Sequence, residues 1–183
     1  MLANAGLPVV CRPSGVDEDA IKDACRRNRI SAEDAACRLA EAKALAITPD
    51  DPRSLVIGAD QLMVCGDVWF DKPLSAQRAR ETLLTLRGSD HRLISGVAVV
   101  RAGTIVWRHL DVAHLTMRDY SDSFIDWYLQ QADDADLQSV GACRLEGLGV
   151  QAFARITGDY FTILGLPLLP LLDFLRQERV LRG

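Results

Sequence analysis

Apolar positions along this chain keep switching between two periods, and each switch marks an element. Ala35, Leu39, Ala42 and Ala46 form one stripe at helical spacing behind a capping box of Ser31 and Asp34, which predicts a helix with Lys43 beside the stripe. Leu55-Val56-Ile57 runs into the small-residue stretch Gly58-Ala59-Asp60-Gln61, a pattern that reads as a buried strand with Asp60 at its open end. Val64 to Phe70 reads as a hairpin-like excursion, and Ser75 then caps a helix that runs to Arg87 and stops at Gly88. His91 to Arg101 and Thr104 to Thr116 are β-rich runs joined at Ala102-Gly103, which predicts an antiparallel pair.

The ends follow the same rules. Gly6 fits a helix C-cap after Met1 to Ala5, and Leu7 to Cys11 reads as a short strand. Val16 to Asp19 opens a helix whose first turn is acidic, as the helix dipole favours. Ser121 caps a helix with Phe124 and Tyr128 at i,i+4 spacing, and a glycine-rich stretch holding Gly141, Gly147 and Gly149 follows. Val150 to Ile156 and Phe161 to Leu164 are short apolar pieces before a closing helix, Leu168 to Leu181. The expected class is α/β, with a mixed twisted sheet flanked by helices on both faces.

Composition narrows the chemistry. A chain of 183 residues that is 49% hydrophobic suits one domain, or two small lobes sharing a core. The net charge of −4 comes from scattered acids and bases, with no basic stripe for a nucleic-acid polymer. Five cysteines form no C-x-x-C pair, which reads as reduced thiols of a cytoplasmic protein. The greasiest stretch, Ile163 to Leu172, is interrupted by two prolines and a glycine and is too short for a bilayer.

Few residues carry candidate chemistry. Asp60 reads equally as a turn aspartate and as a carboxylate that holds a divalent cation or activates a water. Lys72, in Asp71-Lys72-Pro73 just before a helix start, is placed to attract phosphate, although an isolated lysine is most often simply solvated. Glu18 and Lys43 are ordinary taken singly, whereas Glu146 stands between glycines, which lets the backbone approach a ligand closely, although a polar turn explains the pattern too. His91, His109 and His114 lack metal-ligand spacing and read as sheet-surface residues. No G-x-S-x-G, Walker A or G-x-G-x-x-G pattern is present, which disfavours serine hydrolases, P-loop enzymes and Rossmann oxidoreductases.

Taken in order, seven segments resemble the Maf family of nucleoside triphosphate pyrophosphatases. They are Gly15 to Glu18, Leu39 to Ala44, Ile57 to Gln61, Asp71 to Pro73, Leu86 to Gly88 with His91, Val140 to Gly149, and Ile156 to Asp159 running to Gly165-Leu166-Pro167-Leu168. The resemblance implies one Maf-like domain over residues 1–183 with an inosine-triphosphatase-like architecture and a cleft between two lobes. Relative to the family's opening strand and arginine loop, the chain reads as shortened at its N-terminus.

The implied activity is hydrolysis of a nucleoside triphosphate to the monophosphate and pyrophosphate, with Mg²⁺ or Mn²⁺. Carried over by position, Asp60 is the proton acceptor or metal-linked base, with Glu18 assisting the metal or water. Lys43 and Lys72 neutralise phosphates, and Glu146 with Gly147 lies on the substrate. Gln61 and Glu146-Gly147-Leu148-Gly149 resemble the branch that acts on 7-methyl-GTP. A homodimer with a small nucleotide as its only other partner is implied as well. The alternative is a catalytically impaired nucleotide-binding or regulatory protein.

Overall fold

A computed structural model of the chain describes residues 1–133, 136 and 139–182. Two helices come first, α1 (Glu18–Arg27) and α2 (Ala32–Leu45), capped by Asp17 and Ser31, whose side chains accept from the Ala20 and Asp34 amides. Then follow β1 (Leu55–Cys65), β2 (Val68–Phe70), α3 (Ala76–Leu86), β3 (Asp90–Arg101), β4 (Thr104–Met117) and α4 (Asp122–Gln131). Two 3₁₀ turns, Val140–Ala142 and Leu148–Ala152, lead to β5 (Phe153–Thr157), the one-turn α5 (Tyr160–Ile163) and α6 (Leu168–Gln177). The strands form one five-stranded antiparallel sheet in the order β2-β1-β3-β4-β5.

The sheet follows from local chemistry. β3 lies in the middle of the order and is buried almost from end to end, as a strand covered on both faces must be. It turns into β4 through Ala102 (φ 48°) and Gly103 (φ 76°), the left-handed pair that a two-residue hairpin matched to strand twist requires. β1 pairs with β2 through Met63↔Phe70, Val64↔Trp69 and Cys65↔Val68 around Gly66. β5 closes the other edge against β4, with a bulge at Thr116/Met117.

The chain divides into two compact units. One holds Met1–Gln61, Ser95–Asp111 and Gly165–Gly183, the other Leu62–Ile94 and Val112–Leu164. The core of the first includes Ala35, Leu39, Ala44, Val99, Leu171 and Leu175, all nearly inaccessible. The core of the second gathers Leu83, Leu86, Leu115, Met117, Ile125 and Tyr128 into one cluster. Tyr120 and Tyr128 keep their buried hydroxyls satisfied on the Leu83 and Ala142 carbonyls, at 2.7 and 2.9 Å.

Several expectations need correction. Leu7 to Cys11 is not a strand, because only Leu7 is buried and Val10 is 82% exposed, so β propensity there has no packing to act through. Asp60 is not at a strand end. Leu62, Met63 and Val64 continue β1 for five residues beyond it, held in register by β2. The buried row of α2 runs through Ala32, Ala35, Ala36, Leu39, Ala40 and Ala44, so Ala42 is only half-buried and Ala46 is a C-cap outside it, while Lys43 lies beside the row as expected. His91 is buried, not on the sheet surface. The closing helix stops at Gln177, with Glu178 as its C-cap.

Candidate active site

Three of the expected residues, Glu18, Lys43 and Asp60, meet within the first unit. Successive side chains of a strand point to opposite faces, so Gly58 and Asp60 share one face of β1, and both are buried. Gly58 is the seat of α2. A Cβ there would overlap the Ala40 carbonyl oxygen and stand 2.6 Å from the Ala44 amide nitrogen. Gly96 of β3 seats the same helix one turn earlier, where a Cβ would stand 2.7 Å from the Ala36 oxygen. With the helix pressed that closely onto the sheet, Lys43 donates from Nζ to Asp60 Oδ1 at 2.6 Å. The same ammonium pairs with Glu18 Oε1, from the first turn of α1, at 2.7 Å.

The pairing leaves the two carboxylates in different states. Asp60 Oδ2 is fully buried and has no hydrogen-bond partner among the described residues. Burial pushes the Asp60 carboxyl above the usual carboxylate range, with Glu18 adding to the rise while Lys43 and Lys22 oppose it. Burial alone would lower the Lys43 ammonium, but its hydrogen bonds to Asp60 and Glu18 outweigh that and hold it above its ordinary value. The cluster therefore combines a cation that keeps its charge with a buried carboxylate oxygen whose hydrogen-bonding capacity is unused among the described residues.

A divalent cation fits this donor set. Among the described residues there is no group of three or more His, Cys, Asp or Glu side chains that could hold a metal by itself. Small hard cations of the Mg²⁺ type ordinarily take one or two carboxylates and complete their shell with water and substrate phosphates. The Asp60 and Glu18 carboxylates supply that minimum. Lys22, four residues after Glu18 on α1, adds a positive charge that acts on Asp60 and that pattern reading overlooked.

The other expected residues belong to the second unit. Lys72 is exposed and lines an open hollow of about 430 Å³ together with Trp69, Arg78 and Thr82. α3 begins just after it, capped by Ser75, whose Oγ accepts from the Arg78 amide at 3.2 Å. Glu146 is exposed, and among the described residues it makes no hydrogen bond or ion pair. Gly147 beside it is pinned, since a Cβ there would stand 3.2 Å from Asp136 Oδ1. The Cys143 thiol of the same loop is pushed up to about 12 by burial and stays protonated at neutral pH.

Sequence reasoning missed what holds that loop. Arg144 donates from Nε to Asp136 Oδ1 at 2.9 Å and from Nη2 to both oxygens of Asp133, at 3.0 and 2.9 Å. Two aspartates three residues apart upstream of an arginine between glycines were the available signal. Gln61, next to the key aspartate, donates from Nε2 to the buried Ser95 Oγ at 2.9 Å.

An acid–lysine–acid cluster under a glycine-seated helix invites comparison with known proteins. The profile of the Maf-like proteins matches residues 1–178. The chain belongs to the Maf-like family. A nucleoside triphosphate pyrophosphatase of Paramagnetospirillum magneticum is 50% identical over 178 residues, which cover 97% of this chain and 92% of that protein. A 7-methyl-GTP pyrophosphatase of Mesorhizobium japonicum is 47% identical and one of Brucella abortus 43% identical, each over 183 residues, all of this chain and 92% of each relative.

Membership of the Maf-like family bears out the sequence resemblance and the α/β class with helices flanking its sheet. Among the described residues no helix of this Maf-like chain is long and apolar enough to cross a membrane. All five cysteines are free thiols.

Proposed function

We propose that the chain hydrolyses a nucleoside triphosphate to the monophosphate and pyrophosphate, with a 7-methylated guanine as its preferred base. The observation that carries this reading is the buried Asp60 carboxylate, fixed on one oxygen by Lys43 and, among the described residues, without a partner on the other. Family membership and relatives with names of this activity support it.

The reaction is attack of water on the α-phosphorus, with the bond from that phosphorus to the α–β bridging oxygen breaking and pyrophosphate leaving. Asp60 Oδ2 takes a proton from the attacking water. Its carboxyl, raised by burial, is a stronger base than a solvated aspartate and so better suited to that transfer near neutral pH. Lys43, held charged, offsets the negative charge that grows on the phosphate oxygens, the dominant requirement of phosphoryl chemistry. Glu18 keeps Lys43 in place and with Asp60 would hold Mg²⁺ or Mn²⁺. Bound with the nucleotide, the cation would supply further charge neutralisation at the phosphates. Lys72 is assigned a second phosphate contact, and Glu146 with Gly147 the base. A carboxylate suits guanine because it accepts from the N1–H and N2–H groups together, and methylation at N7 adds positive charge to that ring.

The test is pyrophosphate release from 7-methyl-GTP, GTP, dTTP and UTP with Mg²⁺ or Mn²⁺, by the parent chain and by Asp60→Asn. Release that prefers 7-methyl-GTP and collapses in the variant is expected. Unchanged turnover by Asp60→Asn would overturn the assignment of the base. Equal rates on all four nucleotides would overturn the base preference. The assembly implied by the family resemblance, a homodimer, is checked by light scattering of the same preparation.

A further inference from the structure

The second unit contains an ion-pair cluster that the proposed chemistry does not use. Arg144 spreads its guanidinium over two aspartates, and Asp136, the nearer, is 3% exposed. The backbone ties the same residues together: Asp136 N donates to Asp133 Oδ1 at 2.7 Å, and Ser139 Oγ donates to the Asp136 carbonyl at 2.6 Å. The glycines of the following loop are packed on this cluster. A Cβ at Gly149 would stand 2.5 Å from the Arg144 carbonyl oxygen and 2.7 Å from its nitrogen, and one at Gly147 would meet Asp136 Oδ1. Gly147 N also reaches back to the Arg144 carbonyl at 3.4 Å. Glu146, between Arg144 and these glycines, is exposed and acts on the Arg144 guanidinium through its charge alone, without a hydrogen bond among the described residues.

We propose that the Arg144–Asp136 clamp is a positioning device for the Glu146 carboxylate, and that it governs base discrimination while leaving phosphate hydrolysis alone. This rests on the assignment of Glu146 to the base. Two physical points carry the step. The two aspartates take the Nε and Nη2 donors of the guanidinium, so Glu146, two residues away, feels its charge but is not drawn into a hydrogen bond with it, and the carboxylate stays open to a base. The planar fork also fixes direction as well as distance, which a flexible ammonium cannot do. Asp136 Oδ1 stands 3.2 Å from where a Cβ would lie at Gly147, so the clamp is in close contact with the loop backbone that presents Glu146.

Asp136→Asn, Arg144→Lys, Gly147→Ala, Glu146→Gln and the double variant Asp136→Asn/Glu146→Gln test this. Each is assayed for kcat and KM on 7-methyl-GTP and on dTTP. Binding is measured in parallel with the α,β-methylene analogues of the two nucleotides, and folding is checked by melting temperature. For Asp136→Asn and Arg144→Lys the expected result is a loss of about tenfold or more in the 7-methyl-GTP to dTTP ratio of kcat/KM, carried by KM, with kcat held within about threefold. Glu146→Gln and Gly147→Ala, which touch the base, are expected to lose at least as much of that ratio. The double variant is expected to lose no more discrimination than Glu146→Gln alone, as residues acting through one group do.

A clamp that merely stabilises the fold would lower the melting temperature and both substrates' rates together, and that overturns the proposal. So do effects that add in the double variant, or discrimination lost in Asp136→Asn but unchanged in Glu146→Gln. If the parent chain hydrolyses nothing, the proposed activity fails, and the same ratios read from analogue binding decide the clamp. Equal binding of the two analogues by parent and clamp variants alike then overturns it.

Discussion

Two clusters in this chain share one composition, a cation between two carboxylates, yet differ in what they leave unfinished. In the first unit Lys43 touches Glu18 and Asp60, and one buried oxygen of Asp60 has no hydrogen bond among the described residues. In the second, Arg144 engages Asp133 and Asp136 with three hydrogen bonds, and neighbouring glycines are packed against the pair. A buried carboxylate oxygen with no partner costs stability, so its persistence points to a ligand or a proton it awaits. A satisfied guanidinium fork costs little and fixes a shape. The unfinished cluster reads as chemistry and the finished one as architecture.

The sharpest way to break that contrast is at Asp60. Asp60→Asn keeps the shape and removes the base, and turnover is expected to fall about 10²- to 10⁴-fold, the range for loss of a general base. Lys43→Met is expected to cost kcat as well, because the charge opposite the phosphates disappears. Steady-state pyrophosphate release measures both. A rise in KM with kcat unchanged in either variant would mean that the cluster binds nucleotide without acting on the reacting atoms.

The next effect concerns what builds the first cluster. Gly58→Ala would drive a methyl group into the backbone of α2 at Ala40 and Ala44, and neither neighbour is a side chain that can swing aside. The expected cost is about 3 kcal/mol, the upper part of the overpacking range, with loss of activity as Lys43 is lifted from Asp60. Urea unfolding and activity of the same preparation check both parts. Full stability in the variant would show that α2 is not seated as closely as the glycine implies.

Much of this was legible in the sequence, for reasons that differ by residue. Ser31, Ser75, Ser121 and the Ala102-Gly103 turn act locally, and each cap or hairpin lies where its chemistry predicts. Asp60 was recognised as a residue but misplaced, because Gly58-Ala59 looks like a turn until α2 is known to lie on it. The glycine serves helix packing, and no local pattern separates that from a turn. Arg144 was missed for a similar reason. Its partners lie eight and eleven residues away, and the spacing of two aspartates ahead of an arginine hints at a pairing without saying which aspartate the arginine will meet.

His91 offers a comparison across pH. It is buried with Nδ1 unpartnered among the described residues, and burial pulls its pKa from 6.5 down to about 4, with Asp90 opposing. The folded chain therefore holds His91 neutral where the unfolded chain takes up a proton, so stability is lost as pH falls from about 6.5 to about 4. A drop of that size corresponds to at most about 3 kcal/mol. Urea midpoints at pH 7, 5.5 and 4.5 should shift downward in the parent and less in His91→Leu. Parallel pH profiles in the two proteins would remove His91 from the account.

The smallest effect separates the frame of the first cluster from its chemistry. Ser31 accepts from the Asp34 amide at 3.0 Å and starts the helix that carries Lys43 three turns later. Ser31→Ala strands one amide at an exposed helix end, for which about 1 kcal/mol is the usual cost. The buried alanines Ala35, Ala36, Ala40 and Ala44 still press α2 onto the sheet, so Lys43 keeps its two partners. The expected outcome is a lower melting temperature with kcat unchanged within about twofold. If kcat falls in step with stability, the Lys43–Asp60 geometry depends on the whole helix staying folded. If it does not, tertiary packing alone positions the ammonium, as the glycine seats at Gly58 and Gly96 imply.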